Sequence, residues 1–508
     1  MELSEEQQTI FNRLINFLEE EQYEILINSS AGTGKTFLIT YFINYIIKNE
    51  KVKKIISVCT PTHTSLQELK SKLFYNYEFN EVEQNKISLS TIHRLLEYKQ
   101  KITKDNEKYF SRNGKVKLNW LKYSLLIIDE CSMLHDEICD DIFTQVSKYS
   151  KINNIKVIYI GDISQLNPVN QNVSKIFNKD IENLKMSKII RTNNSKIMDI
   201  CNSHKLWDLE GKVPNISEFV SKNVKIYNDK KKWLKRFSKI IKKTQNNIIL
   251  CWTNEKKDYY NNFIRKKIFK KENLEKYEIN EILIFTDFHK ITILQDNEEK
   301  DIFFKSSQQF TIIDISVDIH KLKQLIPTKT KNLTDKLNEI IITNLENVNL
   351  ILDQYIKIYK MKIKKNSIEA NEFDDTIYEI YVIHEDSIMV FEEIKNKCLD
   401  IITELKIICY KSVNKIKNKT NNELSDYQNE VEIKIIKIWN KFNLIIDEIA
   451  KVNYAYAFTV HLSQSKTYNN VFIDVDNILL NQNNGEKIKL LYTALTRAST
   501  SLNLLFEI

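Results

Sequence analysis

The first half of the chain alternates short, uninterrupted apolar runs with longer stretches in which apolar residues recur every three or four positions. This alternation is typical of a mostly parallel β-sheet whose strands are joined by crossover helices. Because strands covered on both faces need no polar alternation, four apolar runs are predicted to be buried strands. They are "EILIN" (24–28), "IISVCT" (55–60), "SLLIIDE" (124–130) and "VIYIGD" (157–162).

The second half repeats this pattern around a region of a different kind. "NNIILCWTN" (246–254) predicts a strand that opens a second α/β unit, which "NVFIDV" (470–475) and "LNLLFEI" (502–508) can join. Roughly 285–450 begins with the strand-like pieces "ILIFTDF" and "QQFTIIDI" and continues into a helical pattern over 333–362. We interpret this region as an inserted helical subdomain rather than a coiled-coil partner helix, because clean heptads are not sustained.

Composition places the protein among soluble globular chains. Of its 508 residues, 42% are hydrophobic and 28% charged, and the net charge of +8 permits nucleic-acid binding without showing it. The seven cysteines form no C-x-x-C pair and read as core thiols of a reducing compartment. The N-terminus is polar, and no apolar run reaches the roughly 18 residues of a membrane helix. An intracellular, soluble protein without a membrane partner is expected.

The stretch "NSSAGTGKT" (28–36) lies between a predicted strand and a predicted helix. It matches the phosphate-binding pattern G-x-x-x-x-G-K-[ST] except that Ser29 replaces the first glycine, which a small residue can do if its φ stays negative. Lys35 is expected to reach the β- and γ-phosphates of a nucleotide, and Thr36 to ligate Mg²⁺. Backbone N–H groups of the loop form the anion site. The loop residues predicted to bind ATP are Ser30, Ala31, Gly32, Thr33, Gly34, Lys35 and Thr36.

Further polar side chains follow the next predicted strands. Asp129 and Glu130 stand at the carboxyl end of a buried run, where α/β sheets place their ligands. Asp129 is expected to hold Mg²⁺, and Glu130 to orient and deprotonate the attacking water. Gln165 in "YIGDISQLNPV" is placed to sense a γ-phosphate. Arg191 and Arg497 have the planar fork that suits a transferring phosphoryl group, although either one taken singly would be read as a surface residue.

The order of the motifs resembles that of superfamily 1 helicases, closest to the 1B branch of Dda- and RecD-like helicases. The segments are "LSEEQQTIF", "AGTGKT", "CTPTHTSLQEL", "STIHRLL", "IIDECSM", "GDISQLNPV", "IIRTNN", "CWTNEKKDYYNNFIRKKIF", "YAYAFTVHLSQSKTYNNVFID" and "YTALTRAS". They cover 1–265 and 439–508. The resemblance implies an α/β fold with two RecA-like P-loop NTPase domains, which hydrolyse ATP with Mg²⁺, move 5′→3′ on single-stranded DNA and unwind tailed duplex DNA.

The resemblance also implies a role for each matching residue. Gln7 matches the glutamine that reads adenine, and Lys35, Thr36, Asp129, Glu130 and Gln165 match the ATP-hydrolysing set. Arg191 and Arg497 match arginines that reach the γ-phosphate, Arg497 as a finger from the second domain. Outside this family, helix capping would be the favoured explanation for the polar residues matching strand-contacting motifs. The implied DNA-binding residues are Pro61, Thr62, His63, Thr91, His93, Thr253, Asn254, Thr459 and His461.

The implied domain division is as follows: a first RecA-like domain at 1–190, with a hairpin insertion at about 97–120; a second at 191–284 and 452–508; and an accessory domain at 285–451, SH3-like with helices. Tyr109 and Phe110 are candidates for a duplex-splitting wedge, with core packing at least as plausible. In the basic segment 230–243, helical spacing of Trp233, Phe237 and Ile240 favours a packed amphipathic helix over a DNA patch.

One motif departs from the family pattern, and several functions stay open. Where the family reads H-K-[SA]-Q-G, this chain has "HLSQS", with Leu462 in place of lysine and Ser465 in place of glycine. The missing cation should weaken attraction to phosphates. The alternatives to a helicase are a DNA-stimulated ATPase that remodels protein–DNA complexes without unwinding, and a non-catalytic scaffold. RNA also remains a possible substrate, because phosphate-tracking residues say little about the 2′-hydroxyl.

Overall fold

The structure is a computed structural model. It describes residues 3–52, 54–102, 108–112, 120–168, 171, 173–192, 194–241, 246–286, 289–295, 298–304, 308–321, 354–366, 376–394, 396–397, 449–464 and 466–507. Contacts divide the chain into two compact units. The first contains almost all residues up to Leu274 together with Ala455–Ile508, and the second is formed mainly by Glu275–Tyr454.

The helices and strands are numbered in chain order. The strands are β1 (Glu24–Ser29), β2 (Ile55–Thr60), β3 (Ile87–Thr91), β4 (Tyr98–Ile102), β5 (Lys108–Arg112), β6 (Tyr123–Ile128), β7 (Lys156–Gly161), β8 (Glu182–Met186), β9 (Val224–Tyr227), β10 (Asn247–Cys251), β11 (Ile282–Phe285), β12 (His289–Gln295), β13 (Glu298–Phe304), β14 (Gln309–Lys321), β15 (Tyr355–Lys365), β16 (Ile377–Ile383), β17 (Val452–Tyr454), β18 (Ala457–Thr459), β19 (Tyr468–Asp474) and β20 (Ala498–Leu505). The helices are α1 (Glu5–Phe17), α2 (Lys35–Lys48), α3 (His63–Asn76), α4 (Glu81–Asn85), α5 (Ile92–Leu95), α6 (Asp136–Asn153), α7 (Ser195–Glu210), α8 (Lys230–Ile240), α9 (Asn254–Phe269), α10 (Val475–Leu479) and α11 (Asn484–Leu495).

The first sheet of the first unit has six parallel strands in the order β3-β2-β6-β7-β1-β8. All four predicted strands are confirmed, as β1, β2, β6 and β7. Alternate residues of β1 enter separate apolar cores: Ile25 and Ile27 lie with the apolar faces of α1 and α2, and Leu26 lies with that of α6. Because both faces are covered, the strands read as uninterrupted apolar runs. Their carboxyl ends form one polar edge.

The second sheet of the first unit has five parallel strands in the order β18-β10-β19-β20-β9. The three runs predicted for it are confirmed as β10, β19 and β20. The predicted amphipathic helix is confirmed as α8, because Trp233, Phe237 and Ile240 are all buried. The indole of Trp233 donates to the carbonyl oxygen of Asn503 at 2.9 Å, and both aromatic rings of α8 pack against Phe472.

A two-stranded sheet, β4 with β5, follows the first three strands of the chain. It falls within the segment in which the resemblance implies a hairpin. The side chains of Tyr109 and Phe110, the candidate wedge, lie outside the described residues, so their role stays a prediction.

The second unit is built on an antiparallel sheet in the order β16-β15-β14-β11-β17, with β12 and β13 as a separate antiparallel pair. The strand-like pieces predicted at its start are confirmed as β11 and the first part of β14. The helix predicted over 333–362 is wrong where it overlaps β15; its earlier residues lie outside the described ranges. In β15, buried Ile356, Ile358, Met361 and Ile363 alternate with lysines, a strand repeat that the long lysine side chains obscured.

Two negative findings concern the described residues. No helix among them is long and apolar enough to cross a membrane. They contain no group of three or more His, Cys, Asp or Glu side chains arranged to hold a metal ion. The cysteines that they contain are free and buried, as predicted: Cys59, Cys131, Cys139, Cys201 and Cys251.

Candidate nucleotide site and nucleic-acid interface

The loop between β1 and α2 is curled by two glycines and fixed by hydroxyl groups. Gly32 and Gly34 have φ of 81° and 85°, whereas Ser29 has no positive φ. A Cβ at position 34 would stand 2.6 Å from Gln7 Nε2 and Ile190 Cδ1, and a side chain would be strained at this positive φ, so glycine is favoured there. Ser29 meets Thr33 Oγ1 at 2.6 Å. Serine is therefore compatible with the loop, as the sequence predicted.

Lys35 begins α2 with an ammonium group that has no hydrogen-bond partner among the described residues, although it is buried. Its nearest described carboxylate oxygen is Glu130 Oε2, 3.8 Å away. A buried cation is costly without an acceptor, so this position favours binding of an anion. The first N–H groups of α2 add a favourable helix dipole. Lys35, Thr36 and the loop therefore fit the phosphates of a nucleotide.

Asp129 and Glu130 follow β6 and have unequal surroundings. Burial, and secondarily the charge of Glu130, raise the pKa of Asp129 to about 7, while Lys35 opposes the shift. The Glu130 N–H donates to Asp129 Oδ1 at 2.8 Å. Glu130 has a left-handed φ of 53°, a strained conformation for a residue with a side chain. Adjacent buried carboxylates are stabilised by a divalent cation, so the pair fits Mg²⁺.

The raised pKa of Asp129 predicts a pH-dependent gain in stability for Asp129→Asn. The folded pKa is near 7 and the ordinary value is 3.8, so the cost of burying the charge is absent below about pH 4 and complete above pH 7. In EDTA at pH 8, the variant should melt higher than wild type by at least about 2–4 °C, the shift that about 1 kcal/mol produces in a domain of this size. At pH 5 the gain should shrink. An equal gain at both pH values, or a similar gain for exposed Asp199→Asn, would contradict the assignment.

Two glutamines reach the site from separate elements. Buried Gln165, after β7, donates from Nε2 to Asp162 Oδ2 at 3.3 Å. Gln7 on α1 accepts the Ser4 N–H at 3.0 Å and donates to the Thr33 carbonyl oxygen at 3.0 Å. The amide of Gln7 therefore lies against the phosphate loop.

Arg191 and Arg497 are held by oxygen atoms of the protein backbone. Arg191 Nη1 donates to the Thr496 carbonyl oxygen at 2.6 Å. Arg497 Nε donates to the Thr493 carbonyl oxygen at 2.9 Å, and its Nη1 to that of Lys466 at 3.3 Å. Burial, and secondarily repulsion from Arg191, lower the pKa of Arg497 to about 10. Among the described residues neither arginine forms an ion pair within 4.0 Å, which suits a polyphosphate.

The structure brings these predicted residues into one electrostatic cluster. Lys35 Nζ lies 3.8 Å from Glu130 Oε2, and Arg191, which follows the first sheet, donates to the Thr496 carbonyl oxygen beside Arg497 of the second sheet. The charge of Glu130 also opposes the lowering of the pKa of both arginines by burial. Sequence reasoning missed further polar residues that join the two sheets. Tyr492 bonds to the loop and to Asp162, Lys205 donates to Ser30 Oγ, and Lys489 donates to Asn167 Oδ1. Tyr492 and Asp162 stand within the quoted motifs, which was the available signal.

Three of the predicted DNA-contacting residues are helix N-caps. The side-chain oxygens of Thr62, Thr91 and Thr253 accept the N–H of Ser65, Arg94 and Lys256, at the starts of α3, α5 and α9. Each cap lies at or just after the carboxyl end of a parallel β-strand: β2, β3 and β10 respectively. Helix N-termini bind phosphate groups readily, so the capping role of these threonines is compatible with contact to the phosphates of a DNA strand.

The remaining candidates have varied surroundings. The ring of His93 packs edge-on against Tyr98 at 5.9 Å between centroids, and Asn254 Oδ1 accepts from Lys257 at 3.1 Å. Pro61 and Thr459 are half-buried, and the side chain of His461 is 42% exposed, with Nε2 3.7 Å from Glu486 Oε1. Leu462 is half-buried in a 3₁₀ turn. The side chain of His63, and Ser465, lie outside the described residues.

Comparison with known proteins gives matches for both parts of the site. Residues 15–171 match the AAA domain family, and residues 454–505 match the UvrD-like helicase C-terminal domain. RecD of Buchnera aphidicola (subsp. Schizaphis graminum) is 31% identical over 54% of this chain and 47% of its own length. The ATP-dependent DNA helicase Dda of phage T4 is 24% identical over 62% of this chain and 68% of its own. The chain is a homologue of the RecD and Dda helicases.

Two further similarities cover almost the whole length of this chain. Protein R530 of Acanthamoeba polyphaga mimivirus is 29% identical over 99% of both chains. Pif1 of Bacteroides sp., solved with ADP-AlF4, aligns over 99% of this chain and 92% of its own at 14% identity with a TM-score of 0.42. The chain spans about half the length of the RecD relative.

The two matched domains of this helicase homologue contain most of the predicted site. The AAA match contains Lys35, Asp129, Glu130 and Gln165, and the C-terminal match contains Arg497. Gln7 and Arg191 lie outside both matches, and their placement beside the phosphate loop comes from the structure alone.

Proposed function

We propose that the protein is an ATP-dependent DNA helicase that moves 5′→3′ on single-stranded DNA and opens duplex DNA. The observation that carries this proposal is the meeting of the two sheets at the phosphate loop, where the Ala31 N–H donates to the Tyr492 hydroxyl and Arg191 donates to the Thr496 carbonyl oxygen, next to Arg497. A site completed by groups from two sheets changes when they separate or close, so ATP binding and hydrolysis can drive their motion.

Each residue at the site has a distinct chemical role in this proposal. Lys35 and the loop N–H groups bind the β- and γ-phosphates, while Glu130 accepts the proton of the attacking water. Gln165 orients that water, and the two arginines stabilise charge on the departing phosphoryl group. Thr36 and Asp129 would hold Mg²⁺, which supplies charge neutralisation between the phosphates.

The predicted strand contacts connect hydrolysis to movement. Thr62 and Thr91 lie at or just after the carboxyl ends of strands of the first sheet, and Thr253 and Thr459 lie in the same positions in the second. Contacts from hydroxyl groups and helix ends to the DNA backbone do not depend on the bases, so the residues of each sheet can bind single-stranded DNA of any sequence. If the two sheets approach and separate during each ATP cycle, the DNA-binding residues of each sheet can release and rebind the DNA strand in turn, which moves the protein along it.

Duplexes with matched tails test the direction of movement. With ATP and Mg²⁺, a DNA duplex with a 5′ single-stranded tail should open, and the same duplex with a 3′ tail should stay closed. Strand separation is measured by release of a labelled strand, with equivalent RNA duplexes run alongside. Opening of the 3′-tailed DNA alone would overturn the polarity, and opening of RNA alone would overturn the substrate class.

A second candidate is a DNA-stimulated ATPase that translocates without unwinding. The observation that favours it is Leu462, an apolar side chain half-buried in the turn of a predicted strand-contacting segment. A weaker grip on phosphates lowers the force available for strand separation. DNA-stimulated phosphate release without any strand separation would support this candidate over the helicase.

A further inference from the structure

The hydroxyl group of Tyr492 connects the helix α11 to the phosphate loop. It is buried, donates to Asp162 Oδ2 at 3.0 Å and accepts the N–H of Ala31 at 3.2 Å. Burial, followed by the charge of Asp162, raises the pKa of Tyr492 far above its ordinary value, so the hydroxyl keeps the proton that it donates. The hydroxyl oxygen of Tyr492, on a helix that belongs to the second sheet, thus bonds to both the phosphate loop and Asp162 of the first sheet.

The carboxylate of Asp162 passes this contact on to Gln165. Its Oδ2 atom accepts from both the Tyr492 hydroxyl and Gln165 Nε2, the latter at 3.3 Å. Its Oδ1 atom accepts the N–H of Ser164 at 3.1 Å, and the side chain is fully buried. Because the carboxylate is fixed on both oxygens, its acceptor for Gln165 has one defined position.

The same end of α11 makes a second polar contact with this segment and carries the arginine. Lys489, one helical turn before Tyr492, donates to the Ile163 carbonyl oxygen at 2.5 Å and to Asn167 Oδ1 at 2.9 Å. Arg497 lies just beyond the carboxyl end of α11 and is fully buried. Any displacement of α11 would therefore withdraw Arg497 and break the Tyr492 contact together.

We propose that Tyr492 is a positioning residue that sets the orientation of Gln165, through Asp162, when α11 is docked. The proposal rests on the proposed ATPase function. Gln165 would then be aligned for water attack only in the state in which Arg497 is also in place. Tyr492 makes no contact with the nucleotide in this scheme and acts on the rate of hydrolysis through the two first-sheet side chains.

Tyr492→Phe tests the proposal because it removes only the hydroxyl group. Loss of an aligned catalytic group lowers kcat without weakening ground-state binding. We expect kcat of DNA-stimulated ATP hydrolysis to fall about 10-fold, with KM for ATP changed less than about twofold. An unchanged kcat, or a raised KM with kcat retained, would overturn the proposal.

Tyr468→Phe is the matched control. Tyr468 is also a buried tyrosine of the second sheet, and its hydroxyl makes no hydrogen bond among the described residues. This variant should keep the kcat of wild type. It should also unfold at a higher temperature than Tyr492→Phe, because only Tyr492→Phe removes a hydrogen bond from the buried Asp162 carboxylate and from the Ala31 N–H. A loss of kcat in Tyr468→Phe equal to that in Tyr492→Phe would show a general packing effect and overturn the assignment.

A double-mutant cycle separates positioning from a merely structural role. If Tyr492 acts through Gln165, adding Tyr492→Phe to Gln165→Ala should lower kcat little further, whereas independent effects would multiply. Multiplying effects would overturn the inferred route through Gln165. Absence of ATP hydrolysis in wild type would instead sink the proposed function, so the two failures are distinguishable.

Discussion

Lys35→Ala should abolish ATP hydrolysis, with a loss of about 10³-fold or more, because it removes a cation that interacts with the transferring phosphoryl group. In the structure the ammonium is buried, has no described hydrogen-bond partner and lies 3.8 Å from Glu130 Oε2. Alanine would leave the loop without this charge, so ATP binding should weaken as well. Phosphate release with saturating single-stranded DNA measures the first effect, and binding of a fluorescent ATP analogue measures the second.

Lys48→Ala is the matched control for this substitution. Lys48 stands at the other end of the same helix, α2, and pairs with Glu83 at 2.8 Å on the surface. Such exposed pairs contribute about 0–1 kcal/mol to stability, so this variant should hydrolyse ATP like wild type. Retained hydrolysis in Lys35→Ala would remove the phosphate loop from the mechanism.

Glu130→Gln should separate ATP hydrolysis from ATP binding. Glutamine keeps the shape of the side chain and cannot take the proton of the attacking water, so kcat should fall about 10²–10⁴-fold. Nucleotide affinity should be kept or increased, because a negative charge near the phosphates is removed. Single-turnover hydrolysis and analogue binding, measured on the same preparation, distinguish these effects.

Glu137→Gln serves as the control for the acidic pair. Glu137 lies in the first turn of α6 and is exposed. It should have wild-type kcat and affinity. Loss of binding in Glu130→Gln, with kcat preserved for the bound fraction, would assign Glu130 to nucleotide retention and leave the base unidentified.

The sequence predicted the parallel sheets well because their signal is local. Both faces of β1, β2, β6 and β7 are covered, and this produces apolar runs that need no knowledge of distant residues. It failed at β15, where lysine side chains between buried isoleucines and Met361 were taken for a helical surface. There the pairing with β14 and β16, formed with distant residues, decides the structure.

The candidate site likewise contains residues that local sequence signals place and contacts between distant residues that the sequence does not reveal. Asp129 stands at the carboxyl end of a predicted strand, and Lys35 and Gln165 follow within a few residues of two others, so their shared edge could be deduced from the parallel sheet. The hydrogen bond that the Ala31 N–H donates to the Tyr492 hydroxyl joins residues 461 positions apart, and the one that Lys205 donates to Ser30 joins residues 175 positions apart. No spacing rule connects such segments. The left-handed backbone of Glu130 was equally hidden, since glutamate rarely adopts it.

Ser29, at the start of the phosphate loop, reduces the conformational entropy that the loop loses when ATP binds. The Thr33 hydroxyl donates to the Ser30 carbonyl oxygen at 2.8 Å, so the Ser29 hydroxyl is the donor in its bond to Thr33. A glycine at position 29 would leave this segment free to sample several conformations before ATP arrives. With serine, the entropy of ordering the loop is lost during folding, so less of the binding energy of ATP goes into shaping its receptor.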